Sequence, residues 1–245
     1  MIRLFSIFLC ATFVMAADYD QRARNFPQWF AYWGDHQVAQ SKWGVHFDVH
    51  LRRNDFLQQP LQFLWRPGLN YTVNQNVQLQ AAYTSLRSYP YGTAPVNPQL
   101  ERRLWQQVTA THQQRKVLWS HRGRFEQRWL SRRYASGETG PGTTAFEQRA
   151  RYALKATAPL RGNGYWSLGQ ETFVPVKPET HPAVVDQQRV ILAAGKWLKP
   201  DLRIEFSYMY QQIWQRNGRV REGNHVLGIA VFNTIPFGKM VGWLR

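Results

Sequence analysis

From Trp43 onward the chain alternates between apolar and polar positions. In Trp43-Gly44-Val45-His46-Phe47-Asp48-Val49-His50-Leu51-Arg52 the odd positions are Trp, Val, Phe, Val and Leu, and the even ones are Gly, His, Asp, His and Arg. Successive side chains of a strand point to opposite faces, so this segment predicts a strand with one apolar and one polar face. On a helix the same charges would be spread all round. The pattern returns at Leu61, Phe63, Trp65, Leu69 and Tyr71 against Gln62, Arg66, Asn70 and Thr72. It returns again at Val77, Leu79, Ala81 and Tyr83 against Gln78, Gln80 and Thr84, and at Leu202, Ile204, Phe206, Tyr208 and Tyr210 against Arg203, Glu205, Ser207 and Gln211. Turn-forming clusters lie between: Asn74-Gln75-Asn76, Gly162-Asn163-Gly164, Lys199-Pro200-Asp201 and Asn217-Gly218.

About eleven such segments fall between Trp29 and Phe232. They predict an all-β fold, an antiparallel up-and-down transmembrane β-barrel of 10 to 12 strands over residues 28–235. Twelve is the expectation, because bacterial single-chain barrels have an even number of strands. Connections near residues 74–76, 160–164 and 198–201 are short, as periplasmic turns should be. Those near 88–99, 131–144, 174–184 and 214–223 are longer and polar, as extracellular loops should be. A soluble sandwich or lipocalin-like barrel also alternates. Its packed core would not tolerate charges in mid-strand, and its outer face would not be bulky and aromatic strand after strand.

Composition sharpens this picture. The 245-residue chain has a mean hydropathy of −0.50, yet it contains 11 Trp, 11 Tyr and 14 Phe. A membrane barrel reconciles the two, since only every second strand residue meets lipid and aromatic side chains gather at both interfaces. No run of about 18 apolar residues offers a membrane-spanning helix. Met1–Ala16 reads as a secretory leader: Arg3, an apolar stretch from Leu4 to Met15, and cleavage after Ala16, with Ala17 the next choice. Residues 17–245 then form the barrel domain. Cys10 falls inside the leader and is not preceded by a lipoprotein box. The mature chain would therefore hold no disulfide, thiolate metal site or cysteine nucleophile. Export into the outer membrane of a Gram-negative cell follows. Outer-membrane lipid and the periplasmic chaperone and barrel-assembly machinery are its expected partners, and the barrel is expected to be a monomer without cofactor or metal.

The formal charge of +16 ordinarily suggests nucleic acid. Nucleic-acid binding needs cations interleaved with exposed rings, whereas here the two alternate on opposite faces, and export argues against it too. The cations instead fall on the polar strand face. Between Leu118 and Leu130 the even positions include Ser120, Arg122, Arg124, Glu126 and Arg128, opposite Trp119, Phe125 and Trp129. Between Phe146 and Ala156 the odd positions include Glu147, Arg149, Arg151 and Lys155, opposite Phe146, Ala150, Tyr152 and Leu154. Joined by a hairpin, these strands bring their charged faces side by side. With Glu101, Arg103, Glu171, Arg189, Arg203 and Glu205 they predict a charge network in the lumen. A lipid-facing Arg at the bilayer midplane costs about 2–4 kcal/mol, which forbids the opposite orientation. Two roles stay open for the network: a set of Arg–carboxylate pairs that holds the barrel in shape, or, through the excess of cations, a path for small anions.

Three motifs stand out: Glu101-Arg102-Arg103-Leu104-Trp105-Gln106-Gln107, His121-Arg122-Gly123-Arg124-Phe125-Glu126-Gln127-Arg128 and Arg149-Ala150-Arg151-Tyr152. Gln170-Glu171-Thr172-Phe173, Asp186-Gln187-Gln188-Arg189 and His225-Val226-Leu227-Gly228 follow them. In these motifs, their order and their spacing, the sequence resembles the domain-of-unknown-function 2490 family of Gram-negative bacterial proteins. The resemblance implies an outer-membrane-type barrel without an assigned activity, so no catalytic residue carries over. The chain departs from the pattern at its end, where Phe232 and Phe237 are followed by a tail to Arg245 rather than closing on a terminal aromatic. The alternative function is an outer-membrane lipid-modifying enzyme, a hydrolase or acyltransferase, for which His121 or His225 on the apolar face would be the base. No Gly-x-Ser-x-Gly elbow is present, and Ser120, next to His121, points to the other face. His46 and His50 share a face with Asp48, a spacing explained by a polar lumen wall without metal.

Overall fold

The computed structural model of the chain describes residues 21–90, 99–131, 144–176, 184–214 and 220–236. The predicted leader, the C-terminal tail and most of the four longer connections lie outside the described residues. Twelve strands follow in order: β1 (Gln21–Asn25), β2 (Gln28–Gln37), β3 (Trp43–Asn54), β4 (Gln59–Asn74), β5 (Val77–Ser88), β6 (Gln99–Gln114), β7 (Val117–Ser131), β8 (Thr144–Pro159), β9 (Gly164–Pro175), β10 (Gln187–Lys199), β11 (Leu202–Trp214) and β12 (Val220–Asn233). From β2 to β12 each strand pairs antiparallel with the next, and β12 then pairs with β2 to close the sheet on itself.

The closure corrects the expectation of an even strand number. β1 and β2 pair with β12 in one continuous register, Asn25 opposite Asn224 and Gln28 opposite Leu227. They are therefore one strand, interrupted at Phe26-Pro27, where proline has no N–H to give to the ladder. The seam continues through the break, since Leu227 N donates to Pro27 O at 3.1 Å. The barrel thus has eleven strands. In a hairpin-connected chain every strand reverses direction, so the first and the eleventh run the same way, and the seam is parallel.

The turns follow the residues that form them. Between β8 and β9, Gly162 has φ +67° and Asn163 has φ 63°, the left-handed geometry of a tight hairpin, which Gly and Asn adopt most readily. The connections at residues 38–42, 75–76, 115–116, 160–163 and 200–201 all lie on one rim, the short-turn rim. The four longer connections share the opposite rim with the tight turn at residues 55–58.

The alternation sorts the side chains as predicted. On β3, His46, Asp48 and His50 are buried, while Trp43, Phe47 and Leu51 are exposed on the outside. The same outer face presents Leu69, Leu79, Leu104, Val108, Tyr152, Leu168, Phe206 and Leu227, all exposed. Near the short-turn rim stand Trp43, Tyr71, Trp119 and Trp166, with Trp43 packed edge-on against Tyr71 at 4.9 Å. Toward the other rim Trp65 meets Tyr83 at 5.9 Å and Trp129 meets Phe146 at 5.3 Å. The barrel is inside out relative to a soluble protein, with a charged interior and an apolar, ring-bordered exterior.

Candidate functional site

The charged residues meet inside because adjacent strands set them opposite one another. The β7–β8 register places Glu126 against Arg149, Arg128 against Glu147 and Arg124 against Arg151. Glu126 is fully buried. Its Oε2 accepts from Arg149 Nε at 3.0 Å and Nη2 at 2.7 Å, and its Oε1 accepts from Arg151 Nη1 at 2.7 Å. Glu171 on β9 accepts from Arg151 Nη2 at 2.5 Å, Arg122 Nη2 at 2.6 Å and Arg189 Nη1 at 3.2 Å. Glu101 on β6 takes a two-pronged contact from Arg103 (2.7 and 3.0 Å) and another from Arg128 (2.5 and 3.2 Å). Each carboxylate thus ties together two or three guanidiniums, and forked pairing of this kind is the strongest available between these groups. Toward the short-turn rim Glu205 accepts from Lys155 Nζ at 3.2 Å and from the Tyr165 hydroxyl at 3.0 Å.

A second cluster, not predicted as a network, occupies β2 to β4. Asp48, fully buried, accepts from Arg66 Nε at 2.6 Å and lies 2.7 Å from His46 Nε2. His46 Nδ1 lies 2.8 Å from Asp35 Oδ1. Two acceptor-only carboxylates on one imidazole are satisfied when both ring nitrogens carry protons. His50 Nε2, 2.9 Å from Arg66 Nη2, is then an acceptor. The sequence shows Arg66 and Asp48 on polar strand faces. Their pairing depends on the β3–β4 register, which sets Asp48 opposite Arg66 and which a bulge at Arg52/Arg53 adjusts.

The expected separation of rings and cations does not hold within the lumen. Several rings point inward and lie under guanidiniums. Phe173 lies beneath Arg149, Arg151 and Arg189 at 4.9, 4.4 and 4.7 Å, and Trp105 beneath Arg124 at 3.7 Å. Trp29 lies beneath Arg52 at 3.7 Å. Such stacking favours a cation by about 0.5–2 kcal/mol in a desolvated setting, and it lets the lumen hold positive charge in excess of its carboxylates.

An interior cavity of about 1190 Å³ extends from Ser88, Tyr89, Ser131 and Trp214 at one end to Gln78, Thr109 and Ser120 at the other. Of the predicted residues, Glu101, Arg103, Arg122, Arg124, Arg128, Arg149, Arg151, Glu171, Arg189, Arg203 and Glu205 line it, while Glu126 and Glu147 lie behind the lining, bonded to it. Eleven Lys and Arg side chains face the cavity against six Asp and Glu. Two of the eleven, Arg52 and Arg203, have no carboxylate within 4.0 Å among the described residues. Arg203 rests instead against Phe232 and Trp197 at 4.2 and 4.9 Å.

His121 and His225 are on the outer face. The hydrogen-bond partner of each is a tyrosine of the neighbouring strand: Tyr152 hydroxyl to His121 Nδ1 and Tyr208 hydroxyl to His225 Nδ1, both at 2.7 Å. Ser120 lines the interior, so the structure does not bring it together with His121.

No curated protein matches the chain. Among solved structures, a NanC porin in a rhombohedral crystal form matches with a TM-score of 0.47 and 10 % identity, over 81 % of this chain and 89 % of that one. The sequence signature of the DUF2490 family, described as proteins of unknown function, covers residues 26–222. On that match, over most of its length, the chain belongs to the DUF2490 family.

Proposed function

We propose that this protein is an outer-membrane barrel that gives small solutes, preferentially anions, a path through its lumen. The membrane setting is supported by the exterior. Among the described strand residues, the outward-facing charges Arg53, Arg87, Arg102 and Arg221 stand within three residues of the strand ends on the long-connection rim. Lys196 stands equally close to the short-turn end of β10. Among the described strand residues the middle of the outer face carries no Lys, Arg, Asp or Glu, as lipid contact requires. The preference for anions is carried by one observation, the eleven cationic against six acidic side chains that face the cavity. Asp48 and Glu126 are wholly buried beneath their guanidinium partners, so the surface a solute meets is more positive than the overall balance. A lumen of one sign with low-dielectric walls concentrates the opposite ion and repels its own.

Purified protein in a planar bilayer under a KCl gradient tests this. The expected result is a stable conductance whose reversal potential has the sign of chloride permeation. A cation-selective or unselective conductance would overturn the proposal. The structural reading of the same network draws on the multi-strand clamps at Glu126 and Glu171, and a barrel that folds and inserts but carries no current would leave that reading in its place.

A further inference from the structure

The cavity wall contains hydrogen-bond donors that the barrel itself leaves unused, gathered at one place. Arg52 stands opposite Trp29 in the β2–β3 register, with its guanidinium carbon 3.7 Å from the indole centroid. Arg52 Nη1 donates to Gln62 Oε1 at 2.5 Å, and Gln62 is held in turn by Ser88 Oγ at 2.9 Å from its Nε2. Arg52 Nε and Trp29 Nε1 are both buried and have no hydrogen-bond partner. Arg52 Nη2 makes no hydrogen bond to any described residue, so the Nε/Nη2 edge of the guanidinium has no partner among the described residues. A buried donor left unpaired costs about 1–3 kcal/mol, more when charged, and such vacancies are rare in folded proteins unless something else fills them. Here two occur on one stacked unit in the cavity wall. A second guanidinium, Arg189, lies 5.3 Å from the same indole, reaching it from β10 on the other side of the seam.

We infer that Trp29, Arg52 and Arg189 form a binding subsite for an oxyanion, a carboxylate or phosphate group on a small solute, toward the long-connection end of the lumen. A small shift of the stacked pair that uncovers the two buried donors makes the Nε/Nη2 edge the fork that accepts two oxygens of such a group, and the indole N–H supplies a third donor. Glu171 pairs with Arg189 and not with Arg52. An anion arriving at Arg52 therefore displaces no internal partner. Arg203, the other cation without a carboxylate, has no buried unpaired donor and serves as the internal comparison.

The subsite rests on the pore reading only for its access to solute, so binding is measured apart from conduction. Detergent-solubilised barrel is titrated with inorganic phosphate, with acetate as a carboxylate probe and chloride at matched ionic strength as the control, and bound anion is followed by calorimetry. The inference expects saturable binding of phosphate and acetate over chloride. Affinity should fall at least tenfold in Arg52→Gln and severalfold in Trp29→Phe, which keeps the ring and removes only the N–H. Arg203→Gln should bind as the unaltered protein does. Arg52→Lys keeps the charge and loses the fork, so it should retain less than half of the affinity. Equal binding in the unaltered protein and Trp29→Phe, or no saturable binding at all, would overturn the subsite. Site-dependent binding by a barrel that carries no current would overturn the pore and leave the subsite standing.

Discussion

At the scale of single residues the fold rests on where each charge is hidden. Glu126 takes three hydrogen bonds from Arg149 and Arg151 and has no exposure, so Glu126→Gln leaves two buried guanidiniums undercompensated. Breaking a buried pair in this way costs about 3–5 kcal/mol. Glu205→Gln removes a carboxylate whose cationic partner, Lys155, is 38 % exposed at its side chain, and solvent-screened pairs contribute about 1 kcal/mol or less. Urea unfolding in detergent should therefore show a large drop in midpoint for Glu126→Gln and a small one for Glu205→Gln; equal midpoints would mean that the central network holds nothing together. The sequence shows which face each of these residues takes, because period-two alternation needs no knowledge of partners. It does not show who pairs with whom. Asp48 and Arg66 stand eighteen positions apart and meet only through the β3–β4 register. The inward rings were hidden for a related reason: Phe173 and Trp105 occupy polar-face positions, and only the folded lumen reveals the guanidiniums stacked on them.

At the scale of elements, the strands were legible and their closure was not. Alternation and turn residues marked about eleven segments, and the expectation of twelve came from a rule about barrels rather than from these residues. Pro27 is the local feature that divides the first strand in two without adding one to the barrel, since both pieces share one register against β12. The parallel seam is directly testable. Ala31 and Ala230 are register partners across it and both line the cavity. Neighbouring strands lie about 4.8 Å apart, within disulfide reach. The double variant Ala31→Cys/Ala230→Cys should cross-link on oxidation and shift its migration on a denaturing gel, whereas Ala31→Cys/Ala153→Cys, with partners on β2 and β8, should not. Failure of the first pair to cross-link while the barrel folds would mean that another strand stands between β2 and β12, and the odd count would fall.

At the scale of the whole molecule, the proposed membrane setting requires the outer face to match a bilayer. A strand of sixteen residues such as β6 rises ~3.3 Å per residue and, tilted by ~40°, reaches about 40 Å, well beyond an apolar band of about 25 Å. Part of each long strand therefore stands clear of the hydrocarbon. The residues say which part. Gln127, Gln148, Thr172, Gln188 and Gln212 face outward within four residues of the long-connection ends of β7 to β11, and Gln127 and Gln148 are register partners. The opposite ends, near the short turns, end in Trp43, Trp119 and Trp166. The apolar band thus sits toward the short-turn rim, with a polar collar of strand projecting on the side of the longer connections. A new charge measures where the band lies. Val108 on β6 is 44 % exposed and stands opposite Leu79, which is equally exposed, in the middle of the outer face. Val108→Arg should cost about 2–4 kcal/mol in lipid vesicles, the penalty at the midplane, whereas Gln127→Arg, in the collar, should cost about 0–1 kcal/mol. Unfolding from vesicles gives both values. In detergent the two costs should converge, because a micelle deforms around a charge more easily than a bilayer does. If Val108→Arg were as mild as Gln127→Arg in vesicles, lipid would not cover the middle of this face, and the membrane location would fall with it.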